Sequence, residues 1–530
     1  MSDLPQTDYE IGQDNVNPFG LDIHNPVFVI SGLTIVLFTL YTLMFQAQAE
    51  EFFGWLRPAI TSTFDWFFLS AGNLFVIFAL VLVVTPMGKV RLGGQDAKPD
   101  FSYPGWIAML FAAGMGIGLM FFGVAEPISH FGSSMGGTAL EGGVRTDWAP
   151  LGAAAGDAEA ARNLAMAATI FHWGLHPWAI YAVVALSLAF FAYNYNLPLT
   201  LRSAFYPLLG ERVWGWWGHI IDTLAVFATL FGLATSLGFG TTQALAGLNY
   251  LYGWGTGEIA IVLLITVITM LAIISVVRGL DGGVKILSEI NMILAGLLLL
   301  FIIFFGPTAE ILKTALSGGI AYAKALVPLS MPFGREDTNF SQGWTAFYWA
   351  WWISWSPFVG MFIARVSRGR TVREFIICVI FLPTLLCTIG MAAFGGTAIS
   401  QVISDAAAPV SGAALELKLF VMVDGFPLSA ILSLLGIVLV LVFFVTSSDS
   451  GSLVIDTITA GGKTDAPTAQ RVFWCSFEGV VAAVLLLVGG SQAVGALQAM
   501  TVSTGLPFTI VLLAMCVSTV MGLSKAAKNL

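Results

Sequence analysis

Charge is what this sequence has least of. Asp, Glu, Lys and Arg make up 10% of its 530 residues, whereas ordinary soluble domains carry about 25%. Hydrophobic residues make up 57%, and apolar runs of about 20 residues, the length that crosses a bilayer, recur along the chain. This composition predicts an all-α integral membrane protein with many spans and leaves no segment for a soluble domain.

Cysteine and N-terminal basic residues are also scarce. The four cysteines all fall in apolar runs, without metal or disulfide spacing, and are interpreted as small buried hydrophobes. Residues 1–25 hold five acidic residues and no Lys or Arg, whereas a secretory signal needs a basic start. We therefore expect a soluble tail there. No basic patch points to nucleic acid, and we expect none as a partner.

Hydropathy predicts about twelve membrane spans. They lie at roughly 28–46, 64–87, 104–128, 166–194, 219–247, 258–276, 285–306, 343–364, 375–399, 428–447, 470–489 and 503–523. If the N-terminus is cytoplasmic, 15 of the 22 Lys and Arg residues lie on the cytoplasmic side, as the positive-inside rule requires. The predicted division is a cytoplasmic tail (1–25), a transmembrane domain (26–523) and a short cytoplasmic tail (524–530). Between spans 7 and 8, residues 311–322 are predicted to form an amphipathic surface helix.

The eighth span is unusually rich in tryptophan. Residues 344–360 hold five tryptophans in mid-span, where a lipid-facing helix carries Leu, Ile and Val. Pro357 leaves a backbone carbonyl without its helical donor, which is tolerated in a membrane only where protein or a cavity satisfies it. The stretch is either a broken helix lining an aromatic-walled site or a Trp-rich packing seam.

Spans 3 and 10 also look interrupted. Span 3 has glycine at Gly114, Gly116 and Gly118, which either weakens the helix or lets another helix pack closely. Span 10 ends in hydroxyl-bearing residues at 446–450, which can bond to the backbone or bind a hard cation. Transporter sites lie on discontinuous helices at matching positions of inverted repeats. A repeat of spans 3–7 against 8–12 would match span 3 with span 8 and leave two accessory N-terminal helices.

The fourth span carries an aromatic cluster. On one continuous helix, Trp173, Trp178 and Tyr181 share an arc of roughly 140°, and aromatic cages of this kind bind quaternary ammonium groups through the ring quadrupole. His172 and His176 could carry protons. A packed or backbone-bonded histidine is favoured, because no carboxylate is near in sequence.

Three motifs resemble the betaine/choline/carnitine transporter family over about residues 20–525. They are Gly-Met-Gly-Ile-Gly at 114–118, His-Trp-x-x-His-Pro-Trp-x-x-Tyr at 172–181, and the segment from Trp351 to Arg370. The resemblance implies twelve transmembrane helices, a LeuT-like inverted repeat in helices 3–12, a homotrimer in lipid and a bacterial inner membrane location. The implied substrate-binding residues are a central box of Trp173, Trp178, Tyr181 and Trp352, a second aromatic cluster of Trp351 and Trp355 on the cytoplasmic side, Phe362 on the exit path, and Gly114, Met115, Gly116 and Gly118 beside the substrate.

The motifs are most similar to those of the sodium-coupled glycine betaine symporters. The implied sodium ligands come from Ala112, Met115, Phe443, Thr446 and Ser447. A second sodium site would use Thr229 and Phe358, but Leu233 stands where the family has another threonine. That substitution removes an oxygen ligand and makes the second ion doubtful. Sodium-independent antiporters of the family carry an arginine in helix 5, which the span 219–247 lacks.

The expected substrate is a zwitterionic onium compound. Choline carriers of this kind often have an acid where this chain has Gly118, so glycine betaine, a related trimethylammonium acid or dimethylsulfoniopropionate is preferred. Choline uptake and carnitine-type antiport are the alternatives. No catalytic constellation or ring of acids indicates an enzyme or a channel. The carboxylates in or near the spans are expected to pair locally or at interfaces: Glu126, Asp222, Glu289, Asp449 and Glu478.

Overall fold

The structure of the protein is a computed structural model. It describes residues 7–114, 116–136, 139–141, 144–146, 148–152, 154, 156–278, 285–489 and 493–528. Nearly all of these residues lie in helices, as the composition predicts.

The helices follow one another with short connections. They are α1 (Asn25–Met44), α2 (Gln46–Val84), α3 (Tyr103–Gly114), α4 (Ile117–Gly136), α5 (Ala158–Trp173), α6 (Leu175–Tyr195), α7 (Tyr206–Leu209), α8 (Trp216–Tyr252), α9 (Glu258–Arg278), α10 (Lys285–Phe305), α11 (Thr308–Ser330), α12 (Thr338–Phe340), α13 (Ala346–Val366), α14 (Val372–Ser404), α15 (Pro409–Gly412), α16 (Lys418–Val423), α17 (Ser429–Thr459), α18 (Thr468–Val488) and α19 (Ala493–Ala527). Two small antiparallel hairpins pair β1 (Asn15–Val16) with β2 (Ile23–His24), and β3 (Ala139–Glu141) with β4 (Val144–Thr146).

Within the described ranges, ten helical segments are long and apolar enough to cross a membrane. They belong to α1, α2, α5 with α6, α8, α9, α10, α14, α17, α18 and α19. The predicted spans 3 and 8 correspond to α3–α4 and to α13, which are not among the ten. For span 3 the reason is that it is divided into two helices, since α3 ends at Gly114 and α4 begins at Ile117. For span 8 the reason is composition, since α13 is rich in Trp and Ser. This is the architecture of an integral membrane protein.

The expected break at Pro357 is wrong, because α13 runs through it unbroken from Ala346 to Val366. The proline leaves the carbonyl of Ile353, four residues earlier, without its helical donor. The hydroxyl of Ser356 donates to that carbonyl at 2.6 Å and replaces the lost bond. The irregularity of this span lies instead at its start, where Ser341–Thr345 forms a π-helical turn.

The expected interruption of span 10 is also wrong, since α17 continues to Thr459. The hydroxyl of Thr446 donates to the carbonyl of Val442 at 3.0 Å, and the hydroxyl of Ser452 donates to the backbone carbonyl of Asp449 at 2.9 Å. These bonds stay within the helix and leave its backbone ladder intact.

A break that the sequence did not predict separates α5 from α6. Gly174 lies between them with φ −103° and ψ −127°, outside the helical region. A side chain there would crowd the carbonyl of Ile170, 2.6 Å from the position of a Cβ. Trp173 therefore ends one helix, while Trp178 and Tyr181 lie on the next.

Residues 7–25, which precede the membrane domain, contact other segments of the chain. Tyr9 stacks on Trp214 with ring centroids 4.2 Å apart, and Asp22 forms an ion pair with Lys463 at 2.5 Å. Partial burial raises the pKa of Asp22, but the hydrogen bonds from Lys463 and Asn15 outweigh it and hold that pKa below its usual value. At the other end, α19 extends four residues beyond the predicted end at 523.

The segment 311–322, predicted to be a surface helix, is helical and forms part of α11, and its position at the membrane surface stays a prediction. Its buried residues, Ile311, Thr314, Gly318 and Tyr322, recur every three or four positions and form one face. The opposite face carries exposed Leu312 and Leu316.

Candidate functional site: an aromatic cavity in the helical domain

A cavity of about 260 Å³ lies where α4, α5, α6, α8, α10, α13 and α17 meet. The structure brings most of the predicted site residues to it. Those that line it are Gly116, Gly118, Trp173, Tyr181, Trp351, Trp352, Trp355, Phe358, Phe362, Phe443, Thr446 and Ser447. Among the described residues that line it, none is Asp, Glu, Lys, Arg or His. An uncharged, ring-lined cavity of this size suits a small organic ligand.

Three rings form a box at this cavity. Trp173 and Trp352 lie with centroids 5.1 Å apart and planes at 89°. Tyr181 and Trp352 are 5.3 Å apart at 76°. The indole N–H of Trp352 donates to the carbonyl of His172 at 2.9 Å and fixes its ring to the end of α5. Such near-perpendicular ring planes present several π faces, the arrangement that attracts an onium group.

Trp178, expected as a wall of the box, is not among the lining residues. It is 1% exposed, its ring packs edge-on to Tyr181 at 5.4 Å, and its N–H donates to the carbonyl of Trp173 at 3.2 Å. The predicted arc assumed one continuous helix, and the break at Gly174 removes that assumption. Trp178 therefore supports the box from behind.

Trp351 and Trp355 were expected to form a separate cluster, but they line the same cavity as the box. Trp351 stands edge-on to Trp173 at 6.5 Å and 88°. The N–H of Trp355 donates to the carbonyl of Gly232 at 2.9 Å and ties α13 to α8. Phe362 also lines the cavity and is 37% exposed.

A buried carboxylate anchors the box, and the sequence did not assign it that role. Glu126 Oε2 accepts hydrogen bonds from Trp173 Nε1 at 2.7 Å and from the Tyr348 hydroxyl at 2.5 Å. Its Oε1 lies 2.6 Å from His172 Nδ1 and 3.2 Å from His130 Nε2. Glu126 thus pairs both locally, with His130, and with residues of other helices, as expected for a local or interface carboxylate. His172 is buried as expected, but it pairs with the carboxylate of Glu126 and not with the backbone. The two residues are 46 positions apart in sequence, so sequence proximity could not reveal the pair.

The cluster of Glu126, His130 and His172 is also a possible metal-binding group, since its ligand atoms lie within 4.8 Å of one another. These atoms are already bonded to one another, and His172 Nε2 is 2.9 Å from the hydroxyl of Thr345. With His172 protonated on Nδ1, it donates to Glu126 and accepts from Thr345. The arrangement is a closed hydrogen-bond network that orients Trp173.

Three other carboxylates in the spans, Asp222, Asp449 and Glu478, also have side-chain partners. Asp222 pairs with Arg202 at 2.5 Å, Asp449 accepts from Ser275 at 3.0 Å, and Glu478 accepts from Ser448 at 2.7 Å. Glu289 lies on an exposed position of α10. His176 is 3.0 Å from the side chain of Asn73 and stacks on Trp349.

The predicted sodium ligands are only partly visible. Phe443, Thr446 and Ser447 line the cavity. Met115 lies outside the described residues, and for Ala112 and Gly114 the structure describes only that they belong to α3. At the predicted second site, Phe358 lines the cavity but Thr229 does not. The Thr229 hydroxyl donates to the carbonyl of Ala225 at 2.7 Å.

At two glycines, Gly118 and Gly451, neighbouring side chains lie so close that a Cβ would clash with them. A Cβ at Gly118 would lie 2.9 Å from Trp173 and 3.0 Å from Trp351, so no side chain fits there unless the rings shift. A Cβ at Gly451 would lie 2.3 Å from Cδ1 of Leu233. Leu233 therefore packs against α17 and brings hydrocarbon to the place where a second threonine would bring an oxygen.

Comparison with known proteins identifies the family of the chain. The family model described as the betaine/carnitine/choline family transporter matches residues 26–528. A glycine betaine/proline/choline transporter of Vibrio parahaemolyticus is 65% identical over 521 residues, covering 98% of this chain and 94% of the relative. A glycine betaine transporter of the same organism is 56% identical over 527 residues (98% and 97% covered). One of Acinetobacter baylyi is 42% identical over 506 residues (95% and 72% covered). The chain therefore belongs to the betaine/carnitine/choline family of multi-pass membrane transporters.

Proposed function

We propose that the protein is a secondary active transporter that couples sodium entry to uptake of a zwitterionic onium compound. The substrate class is glycine betaine, a related trimethylammonium acid or dimethylsulfoniopropionate. The observation that carries this proposal is the box of Trp173, Tyr181 and Trp352 on one uncharged cavity. A quaternary onium head offers no N–H donor, so ring faces bind it better than carbonyl or hydroxyl acceptors do.

The absence of charge favours a zwitterion. No acid among the described lining residues would neutralise a net cation, and no Arg or Lys would neutralise a net anion. A ligand that carries both charges is neutral overall, so burying it in such a site costs less free energy than burying a net ion. Relatives that are 56% and 42% identical are named as glycine betaine transporters.

Choline is the second candidate, because the relative that is 65% identical is named for choline and proline as well as glycine betaine. The aromatic box attracts any onium head and does not by itself reject choline. Choline and glycine betaine are therefore compared in every transport experiment below.

We propose one sodium ion per cycle, bound where α17 meets the break between α3 and α4. Thr446 and Ser447 on α17 offer hydroxyl oxygens beside the cavity, and hard oxygen ligands suit a small cation. The apolar packing of Leu233 on Gly451 argues against a second ion. We further propose twelve transmembrane helices with a LeuT-like repeat, cytoplasmic termini at 1–25 and 524–530, and a homotrimer in the bacterial inner membrane.

The direct test uses purified protein in proteoliposomes and radiolabelled glycine betaine. An inward sodium gradient should drive saturable accumulation above the external concentration, and tetramethylammonium should inhibit it. Equal accumulation with potassium on both sides would refute sodium coupling. No onium-sensitive uptake of betaine or choline under any gradient would refute the substrate class.

A further inference from the structure

Among the described residues that line the cavity, one has a side-chain amide. Asn291, on α10, lines the cavity and is 1% exposed. In the part of the chain that the structure describes, neither its Nδ2 nor its Oδ1 makes a hydrogen bond. Buried amides are normally bonded, because an unsatisfied group loses its hydration without replacement.

The position of Asn291 follows from the pattern of α10. Its buried residues are Asn291, Ala295, Leu298 and Ile302, spaced four, three and four apart. They form one inward stripe on a helix that is otherwise apolar from Met292 to Phe305. Asn291 begins this stripe at the cavity, and Ser288 lies one turn before it and also lines the cavity. An apolar residue would complete the stripe equally well for packing, so the amide has another role.

The other polar side chains of the cavity offer less to an anion. The hydroxyls of Ser236 and Thr446 donate to carbonyls of their own helices at 3.4 and 3.0 Å. The N–H of Trp351 is the other buried lining donor without a partner in the described ranges. Only Asn291 offers two N–H donors from one group.

We propose that the Asn291 carboxamide donates to the carboxylate of the substrate and so selects zwitterionic onium compounds over onium cations. This inference rests on the proposed function and assigns the second end of the same ligand. The ring box binds the onium head, and the amide binds the anionic tail through charge-assisted hydrogen bonds. Substrate binding then supplies a hydrogen-bond partner to the buried amide.

The experiment compares a ligand that has the tail with one that lacks it. Glycine betaine uptake and its inhibition by tetramethylammonium, the head alone, are measured in proteoliposomes for the full chain. Asn291→Leu keeps the volume and removes the donors. We expect the KM for betaine to rise about tenfold or more, while the inhibition constant of tetramethylammonium changes less than about twofold. Asn291→Gln keeps the amide and should recover part of the betaine affinity.

A charge reversal sharpens the test. Asn291→Asp should weaken betaine further and improve choline, because a carboxylate in a low-dielectric site repels one and attracts the other. Asn249→Leu is the control, since Asn249 lies at the end of α8 and donates to the carbonyl of Trp254. This variant should keep wild-type values.

Three results would overturn the inference. Equal loss of betaine and tetramethylammonium affinity in Asn291→Leu would indicate a packing role. A fall in apparent sodium affinity with either ligand would make the amide oxygen an ion ligand. An unchanged betaine KM would remove Asn291 from the site. Wild-type protein that shows no onium-sensitive uptake would instead refute the proposed function, and this inference with it.

Discussion

The cavity has two unlike walls. On the box wall, Trp173 donates to Glu126 and Trp352 donates to the carbonyl of His172, so both indoles are held by protein before any ligand arrives. Elsewhere in the lining, α10 presents Asn291, whose amide makes no hydrogen bond within the described residues. The first wall is preorganised, whereas the second becomes satisfied only when a ligand supplies the missing partner.

The difference indicates how the two ends of a substrate are treated. Cation–π attraction depends on where the ring faces point, so fixed rings avoid the cost of ordering them on binding. An amide can rotate to meet a carboxylate, so it needs no such network. We therefore expect substitutions of the residues that hydrogen-bond to the box indoles to reduce both stability and ligand binding. Substitution of Asn291 should change substrate selectivity alone.

The largest expected effect comes from removing the anchor of the box wall. Glu126→Leu leaves the N–H of Trp173 and the hydroxyl of Tyr348 buried without their acceptor, and each unsatisfied group costs about 1–3 kcal/mol. We expect loss of uptake and a lower unfolding temperature in detergent. Glu126→Gln should fall between this variant and wild type, because an amide returns one acceptor oxygen.

Glu289→Gln is the matched control for Glu126. It also removes a carboxylate, but from an exposed position of α10, and it should leave uptake and unfolding temperature unchanged. Wild-type uptake and stability in Glu126→Leu would show that the hydrogen-bond network behind the box does not hold Trp173.

A substitution at Gly118 should have the next largest effect. The sequence argument considered only the missing charge, but a Cβ here would also approach Trp173 and Trp351 to 3.0 Å or less. Gly118→Ala should therefore weaken betaine and tetramethylammonium alike by displacing rings. Gly118→Asp adds a charge, and its choline-to-betaine ratio of kcat/KM should exceed that of Gly118→Ala. If Gly118→Ala binds both ligands normally, the rings adapt and the crowding argument fails.

Trp352→Leu tests one wall of the box itself. The leucine keeps apolar bulk and removes the ring quadrupole, which contributes about 0.5–2 kcal/mol. Betaine and tetramethylammonium should both bind about three- to thirtyfold more weakly, whereas Asn291→Leu should affect betaine alone. A Trp352→Leu protein that folds and binds both ligands with wild-type affinity would refute the box as the onium site.

The sequence predicted the residues of the box better than the residues that hold their rings in place. Trp173, Tyr181 and Trp352 were identified from their types and from the motif around them, and the structure brings all three to one cavity. Their assignment as substrate ligands stays a prediction. Glu126 was visible as a carboxylate in an apolar span, which in membranes indicates function or pairing. Apart from His130 on the same helix, its partners lie on α5 and α13, and only the tertiary fold reveals which residues they are.

The helix breaks were harder to predict, for local reasons. Pro357 looked like a break, yet one hydroxyl, Ser356, supplies the hydrogen bond that proline removes. Gly174 looked unremarkable, yet it separates two helices and moves Trp178 out of the cavity lining. Residue type alone does not decide such cases, because the outcome depends on whether a neighbour replaces the lost backbone bond.

A smaller and more selective effect is expected from the hydroxyls of α17. Thr446→Ala with Ser447→Ala removes two oxygens suited to sodium, without touching either the box or Asn291. Apparent sodium affinity should fall by about tenfold, while tetramethylammonium inhibition at saturating sodium stays near the wild-type value. Thr457→Ala is the control, since Thr457 lies near the end of the same helix and its hydroxyl donates to the carbonyl of Leu453. A double variant with unchanged sodium dependence would place the ion elsewhere.

The smallest effect is expected at Trp178, and it separates a wall of the box from a support. Trp178 lies outside the cavity lining and touches the box through Tyr181 and the carbonyl of Trp173. Trp178→Leu removes an edge-on ring contact and one hydrogen bond but no ring face that meets the ligand. Betaine KM should rise less than about threefold, with the unfolding temperature falling more clearly than the affinity. Trp178→Phe keeps the edge-on contact and should recover most of that temperature loss. If Trp178→Leu instead weakens betaine as strongly as Trp352→Leu while stability is unchanged, Trp178 faces the ligand in the binding state. The break at Gly174 would then have to close during the transport cycle.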